Sequence, residues 1–302
     1  MTRRHDEALA QAAVDALTVQ LALAPKPGLP DPRDLAARTT GRDHRSLRWS
    51  AKALAPGLAA MAASARRTGA PTPHLRAELG AIGRGTEHSV ALAGGGHRGA
   101  LWTLGLLVAA SALTQGAGAR EVMAAAKRIA AHPDRRAPLR PSRGSTVSAK
   151  YGAAGARGEA RAGFPHLRRA LDALTVSRSA GATEPQARLD ALLTVMSTLQ
   201  DTELLHTAGP LGLRHVQEGA RRVLDAGGTA TKAGAEALES LDADLQAREW
   251  SPRGSAALLA GALFLDARQG REELRDQPQR TRRPQRWPNT HLVSGHHPHL
   301  TP

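Results

Sequence analysis

Apolar residues along this 302-residue chain recur three and four places apart, and nowhere do several runs alternate with period two. That spacing builds helices with one core-facing stripe and leaves no material for a sheet of any size. Leu189, Leu192, Leu193, Met196 and Leu199 form the clearest stripe; Leu9, Ala13, Val14, Leu17 and Leu21 repeat it, as do Leu54, Leu58 and Met61. Alanine and leucine dominate the apolar set, while the aromatics that suit a pleated surface number only four Trp, one Tyr and two Phe. At 41% hydrophobic residues the chain can bury a core without covalent staples. The expectation is an all-α protein: one multi-helix domain over residues 1–266, its polar, glycine-bearing loops converging on one site.

The chain has no cysteine, which excludes disulfides, Cys-ligated zinc and thiol chemistry. It carries 41 basic and 27 acidic side chains, a net charge of +14 with pI near 11.4. Such an excess invites a nucleic-acid reading, because clustered cations release counterions from a phosphate backbone. Composition offers a plainer account. Only Lys26, Lys52, Lys127, Lys150 and Lys232 are lysines, and the arginines keep company with abundant Ala and Gly, as a GC-rich coding bias would produce. Part of the excess also falls after Ala267, where seven arginines face Glu272, Glu273 and Asp276; residues 267–302 read as a basic, Pro-rich, disordered tail. Its histidines (His291, His296, His297, His299) read as tail and not as a metal site.

Asp6, Glu7, Gln11 and Asp15 interrupt any apolar segment behind the basic N-terminal residues, and Ala100–Leu113, the most apolar run, is too short to span a bilayer. A cytoplasmic protein with no membrane partner is expected.

Helices are predicted near 74–91, 100–113, 119–131, 216–226, 233–248 and 256–265, the last with Ser255 as its N-cap. Between them stand polar joints: Lys26-Pro27-Gly28-Leu29, Asp43-His44, Gly94 to Arg98, the glycine-rich stretch 151–165, Asp201 to His206, and Ser251 to Ser255. Joints of this kind carry function disproportionately. Cations, a few carboxylates and helix-opening amides together suit a polyphosphate. Each also has a plain structural reading. Lys26 alone is a solvated lysine; Glu159 is a carboxylate favoured by a helix start; Asp201 and His206 cap and close a helix. The Gly94-Gly95-Gly96 run lacks both the Lys-Ser/Thr ending of a P-loop and a strand before it.

The order of the joints is more specific than any one of them. Ala24-Pro-Lys-Pro-Gly-Leu29, Gly-His-Arg-Gly-Ala-Leu (96–101), Tyr-Gly-Ala-Ala-Gly-Ala-Arg-Gly-Glu-Ala-Arg-Ala-Gly-Phe-Pro (151–165), Asp-Thr-Glu-Leu-Leu-His (201–206) and Trp-Ser-Pro-Arg-Gly-Ser (250–255) follow one another. This series resembles the triphosphoribosyl-dephospho-CoA synthases, in the branch associated with malonate decarboxylase, over roughly residues 8–266.

The resemblance implies an all-helical transferase that joins ATP to 3′-dephospho-CoA and expels adenine, making the precursor of the malonate decarboxylase acyl-carrier group. Cleaving the N-glycosidic bond of ATP passes through an oxocarbenium-like state, with the coenzyme's ribose 2′-hydroxyl in place of water. The reaction asks for a carboxylate as base or charge stabiliser, a proton donor to adenine, and Mg2+ with cations on the triphosphate. On this resemblance Lys26, Arg98 and Arg157 contact phosphates, while Glu159 and Asp201 serve as magnesium ligands or general base. His44, His97 and His206 transfer protons or bind substrate. Gly28 and Gly254 allow close backbone approach, and Ser251 and Ser255 belong to the substrate-binding set.

Several blocks depart from the family pattern. Gly41-Arg-Asp-His-Arg-Ser-Leu47 lacks an acid two places after the histidine; Gly95-Gly96-His97-Arg98-Gly99 lacks an Asn-Thr pair; Ser142-Arg143-Gly144 replaces Ser-His-Gly. Glu249, Arg253 and Ala257 replace an asparagine, a glycine and an aspartate of the last block. Asp43, Glu87 and Glu203 are the neighbours able to substitute for missing groups. The alternatives are a homologue that keeps only the scaffold, and a basic helical protein that binds nucleic acid or an acidic partner.

Overall fold

A computed structural model describes residues 2–33, 44–139 and 141–276, all helix and connection with no strand among them. The expected fold class is the observed one. Asp43 and residues 277–302, which include most of the expected tail, lie outside the described residues.

The most apolar run becomes α5 (Arg98–Leu113), in which nearly every side chain from Ala100 to Ala112 is buried. A helix apolar all round must be enclosed by others. Here α1 (Thr2–Leu21), α3 (Ala55–Thr68), α6 (Ala119–Ala131) and α14 (Arg253–Asp276) enclose it. The Leu189 stripe forms α10 (Glu184–Met196), opened by Pro185 in its first turn and by a Thr183–Gln186 capping box. Its buried face packs on α9 (Pro165–Ser179) and α12 (Gly209–Asp225), and α12 pairs with α13 (Lys232–Ala247). The two groups are joined by α14, which touches α1 and α5 on one side and α9 and α10 on the other. Leu104, Leu107, Leu192 and Leu259 are wholly buried, each worth roughly 1.5–3 kcal/mol relative to exposure.

Three segments differ from the sequence-based expectation. Residues 141–151, read as loop, contain α7 (Arg143–Tyr151), whose N-cap Ser142 accepts from the Ser145 amide. The glycine-rich stretch packs instead of waving free: it holds α8 (Gly155–Ala162), with Ala153, Glu159, Ala160 and Phe164 buried. Its glycines punctuate, since left-handed Gly152 and Gly163 terminate α7 and α8. The last helix starts at Arg253, so Ser255 is inside the first turn and is not the cap; the helix also continues past Asp266 to Asp276. Among the described residues no helix is long and apolar enough to cross a membrane.

Candidate active site

Four helix starts meet at one end of the protein. A Cβ on Gly99 in α5 would stand 3.3 Å from Ala257 in α14. The first turn of α14 lies on Asp201, which opens α11 (Thr202–Thr207). Thr202 approaches Gly155 at the start of α8, and the Trp102 indole N–H of α5 donates to the Ala156 carbonyl of α8 at 3.1 Å. The contacts close a ring, and every helix in it brings its N-terminal, positive dipole end to that region.

Asp201 is the keystone of this ring. Its Oδ1 accepts the Glu203 amide at 3.0 Å, and its Oδ2 accepts the Ser255 amide at 3.0 Å and the Ser255 hydroxyl at 3.4 Å. Burial pushes this carboxyl above the usual aspartate range, against the pull of the Ser255, Glu203, Gly254 and Leu204 amides. Gly254 makes the contact possible, because a Cβ there would meet the carboxylate at 2.9 Å. The Ser251 hydroxyl, just before this turn, is buried without a hydrogen-bond partner, a state that costs about 1–3 kcal/mol and that a ligand would relieve.

The Lys26 joint is built into the protein by other means. Lys26 is buried and donates from Nζ to the Gln20 and Leu21 carbonyls, both at 3.2 Å, so it closes the C-terminal end of α1 and is not solvated. His44, at the start of α2 (His44–Ala51), donates from Nε2 to the same Leu21 carbonyl at 2.9 Å. Burial holds this imidazole below the usual histidine pKa, assisted by the nearby charges of Lys26 and Arg48 and opposed by the Leu21 bond and Asp31. Gly28 has φ +65, and a Cβ on it would stand 2.1 Å from the Trp250 carbonyl. This residue must be glycine both for its conformation and for the close approach. Its amide donates to Asp242, and Arg33 bridges Asp242 and Asp31 at 2.6 Å to each. Burial raises the Asp31 carboxyl, but the Arg33 guanidinium and the Lys26 and Arg33 amides more than offset that and leave it below 3.8.

Glu159 has different company. Its Oε1 accepts the His166 amide at 2.8 Å, and its Oε2 faces His166 Nδ1 at 2.7 Å. The turn between them is strained: Phe164 is fully buried at φ 59, a left-handed conformation that bulky side chains avoid. Its amide closes α8 on the Glu159 carbonyl at 2.9 Å, and Pro165 then starts α9, which aims the His166 backbone amide and Nδ1 at the carboxylate. His166 was not singled out by sequence. Its only signal was its place directly behind Gly-Phe-Pro.

The remaining residues are scattered around these centres. His97 is buried, with Nε2 at 3.1 Å from the Ser50 hydroxyl and 2.9 Å from the Leu47 carbonyl, so it clamps α2 to the start of α5. Arg98 pairs with Glu87 at 2.7 Å, and Glu203 lies 3.8 Å from Arg143. His206 is exposed in the last turn of α11, while Arg157 is exposed on α8 beside the ring. No three His, Asp or Glu side chains among the described residues converge to hold a metal.

Residues 6–276 match the family described as ATP:dephospho-CoA triphosphoribosyl transferase. The chain belongs to this family. It is a transferase family, and the motif blocks that line the ring all fall inside the matched span. A protein of Stutzerimonas stutzeri (strain A1501) is 46% identical over 268 residues, covering 86% of this chain and 91% of its own. A Pseudomonas aeruginosa protein (strain UCBPP-PA14) is 48% identical over 266 residues, covering 86% and 90%. One from Azotobacter vinelandii (strain DJ / ATCC BAA-1303) is 46% identical over 266 residues, covering 86% and 91%. All three bear the name "Probable 2-(5''-triphosphoribosyl)-3'-dephosphocoenzyme-A synthase". No solved structure matches. The triphosphoribosyl transferase match ends at Asp276, the last residue of α14, so the family's domain takes in the whole helix.

Proposed function

We propose that this chain joins ATP to 3′-dephospho-CoA, releasing adenine and forming 2′-(5″-triphosphoribosyl)-3′-dephospho-CoA for the acyl-carrier subunit of malonate decarboxylase, and that it works in the cytoplasm. The observation that carries the reading is the buried Glu159–His166 couple, one turn into α8, one of the four helices whose starts converge. Breaking the bond between adenine and the ribose C1 of ATP develops positive charge on the sugar, and the 2′-oxygen of the coenzyme then bonds to that carbon. The hydroxyl proton goes to Glu159 and from there to water, and water supplies the one proton that adenine gains as it leaves, so the protons balance. His166 donates to the carboxylate and fixes its direction, which makes it a positioning residue. Asp201 holds the helix starts in place; its oxygens already accept amides. The exposed Arg157 and the dipole ends suit the triphosphate.

The described side chains form no protein-built cage for magnesium, and no step here runs through it. The ion is expected to arrive with ATP, held mainly by phosphate oxygens and water, and to neutralise their charge. The test is incubation of purified protein with ATP, Mg2+ and 3′-dephospho-CoA, followed by mass spectrometry. Adenine and the coupled product in equal amounts are expected. Absence of both from a protein that melts cooperatively would overturn the reading and leave a scaffold without turnover.

A further inference from the structure

Arg76 is the least expected charge in the molecule. It lies on α4 (Pro73–Leu92) with 6% of its side chain exposed, and its Nε is buried with no hydrogen-bond partner. The Trp102 ring lies 4.9 Å from the guanidinium, and the Asp134 carboxylate is 3.6 Å from Nη1. That carboxylate is shared, since Arg84 holds the same oxygen at 2.8 Å. Burial pulls the Arg76 guanidinium below the usual arginine range; Asp134 opposes this, and the charges of Arg157, Arg84 and Arg161 add to it. Arg157 and Arg161 are one turn apart on the exposed face of α8, with Arg161 Nε donating to the Ala130 carbonyl at 3.2 Å. Two guanidiniums thus share a single carboxylate, the Trp102 ring on Arg76 is itself bonded to the Ala156 carbonyl beside Arg157, and the buried Nε–H of Arg76 has no acceptor.

We propose that Arg76, Arg84, Arg157 and Arg161 form an anion subsite that takes phosphate groups of a polyphosphate ligand. Guanidinium forks match phosphate oxygens, and a multiply charged anion offsets the mutual repulsion that one carboxylate leaves unbalanced. Assigning those phosphates to a substrate rests on the transferase reading above; the subsite itself does not. Helix α8 would carry both functions, with Glu159 turned inward to α9 and Arg161 turned toward α6.

Calorimetric titration of the full chain with inorganic tripolyphosphate tests the subsite without turnover. Binding to wild type is expected, weakened roughly ten- to hundredfold by Arg157→Ala or Arg161→Ala, whose exposed side chains can be removed without disturbing the core. Arg76→Lys keeps the charge but loses the fork and is expected to weaken binding likewise. Equal affinity in wild type and all three variants, or no binding by wild type, overturns the proposal. Steady-state adenine release then separates the source. A rise in KM confined to ATP assigns the subsite to the triphosphate, one confined to 3′-dephospho-CoA assigns it to the coenzyme's diphosphate, and no rise in either rules it out as a substrate subsite. Arginine-dependent tripolyphosphate binding without adenine release would leave the subsite standing and remove the transferase reading.

Discussion

Asp201 and Glu159 are both buried carboxylates, both stand in motif blocks, and each interacts with a neighbouring helix, yet their partners differ in kind. Asp201 is met by amides from the starts of α11 and α14, and by the Ser255 hydroxyl. Glu159 is met by one amide and by an imidazole nitrogen. Amides can only donate, so the Asp201 region is a fixed joint; an imidazole nitrogen can donate or accept a hydrogen bond, so the Glu159 partner is chemically versatile. The turns in front of each joint differ too. Left-handed Phe164 is buried and aims His166, whereas left-handed Glu249 is exposed and precedes the Trp250-Ser251 turn.

The sharpest test of the contrast is Glu159→Gln. The amide keeps the shape and an acceptor for the His166 amide but cannot accept the hydroxyl proton. Adenine release should fall by roughly 10²–10⁴-fold, with the melting temperature nearly unchanged. A variant that unfolds easily but turns over normally when folded would place Glu159 with Asp201 among the joints.

Asp201→Ala should do the opposite. Removing the acceptor from two helix starts should cost about 2–4 kcal/mol of stability, read by urea unfolding. The pH dependence has a definite sign. Burial raises the Asp201 pKa in the folded protein, so its contribution is fully present below the unfolded pKa and declines as pH rises through the folded value. The deficit of the variant should therefore widen from pH 7 toward pH 4. A narrowing deficit would mean that the folded state prefers the charged carboxylate.

How much of this was legible in the sequence follows from the range of each interaction. The helices were readable because a stripe such as Leu189 to Met196 is a local pattern, and the family resemblance was readable because its blocks keep their order. The capping role of Asp201 was open as one of two readings, since Asp before a short helix is a local signal. The environment of Lys26 was not readable: nothing nearby says that its ammonium folds back onto carbonyls five and six residues earlier. The glycines at 152 and 163 suggested flexibility because composition does not distinguish a helix stop from a loop. Nothing local marks Arg76, because the groups that set its surroundings, Trp102 and Asp134, are distant in sequence.

A smaller effect of opposite pH sign is expected at the Lys26 joint. Arg33→Ala leaves Asp31 and Asp242 without their shared guanidinium, at a cost of about 2 kcal/mol; this is below the range for a fully buried pair because Arg33 is half exposed. The Asp31 pKa is depressed in the folded protein. Its contribution is thus present above the unfolded value and lost as pH falls through the folded one. The deficit of this variant should narrow in acid, measured by the same urea titrations, as that of Asp201→Ala widens. Parallel trends in the two variants would show that the two joints are not electrostatically distinct.

The smallest expected effect concerns the exposed turn before α14. Glu249 adopts φ 56, where a residue with an ordinary side chain is strained and asparagine is better tolerated. Glu249→Asn should therefore stabilise the fold by about 0.5–1 kcal/mol, seen as a small rise in melting temperature, with adenine release unaltered. The matching change at Phe164 gives no such gain, because relief of its backbone would remove a wholly buried ring. That asymmetry separates the two turns: strain at Glu249 can be released without touching the reacting groups, whereas strain at Phe164 is tied to the packing that aims His166 at Glu159.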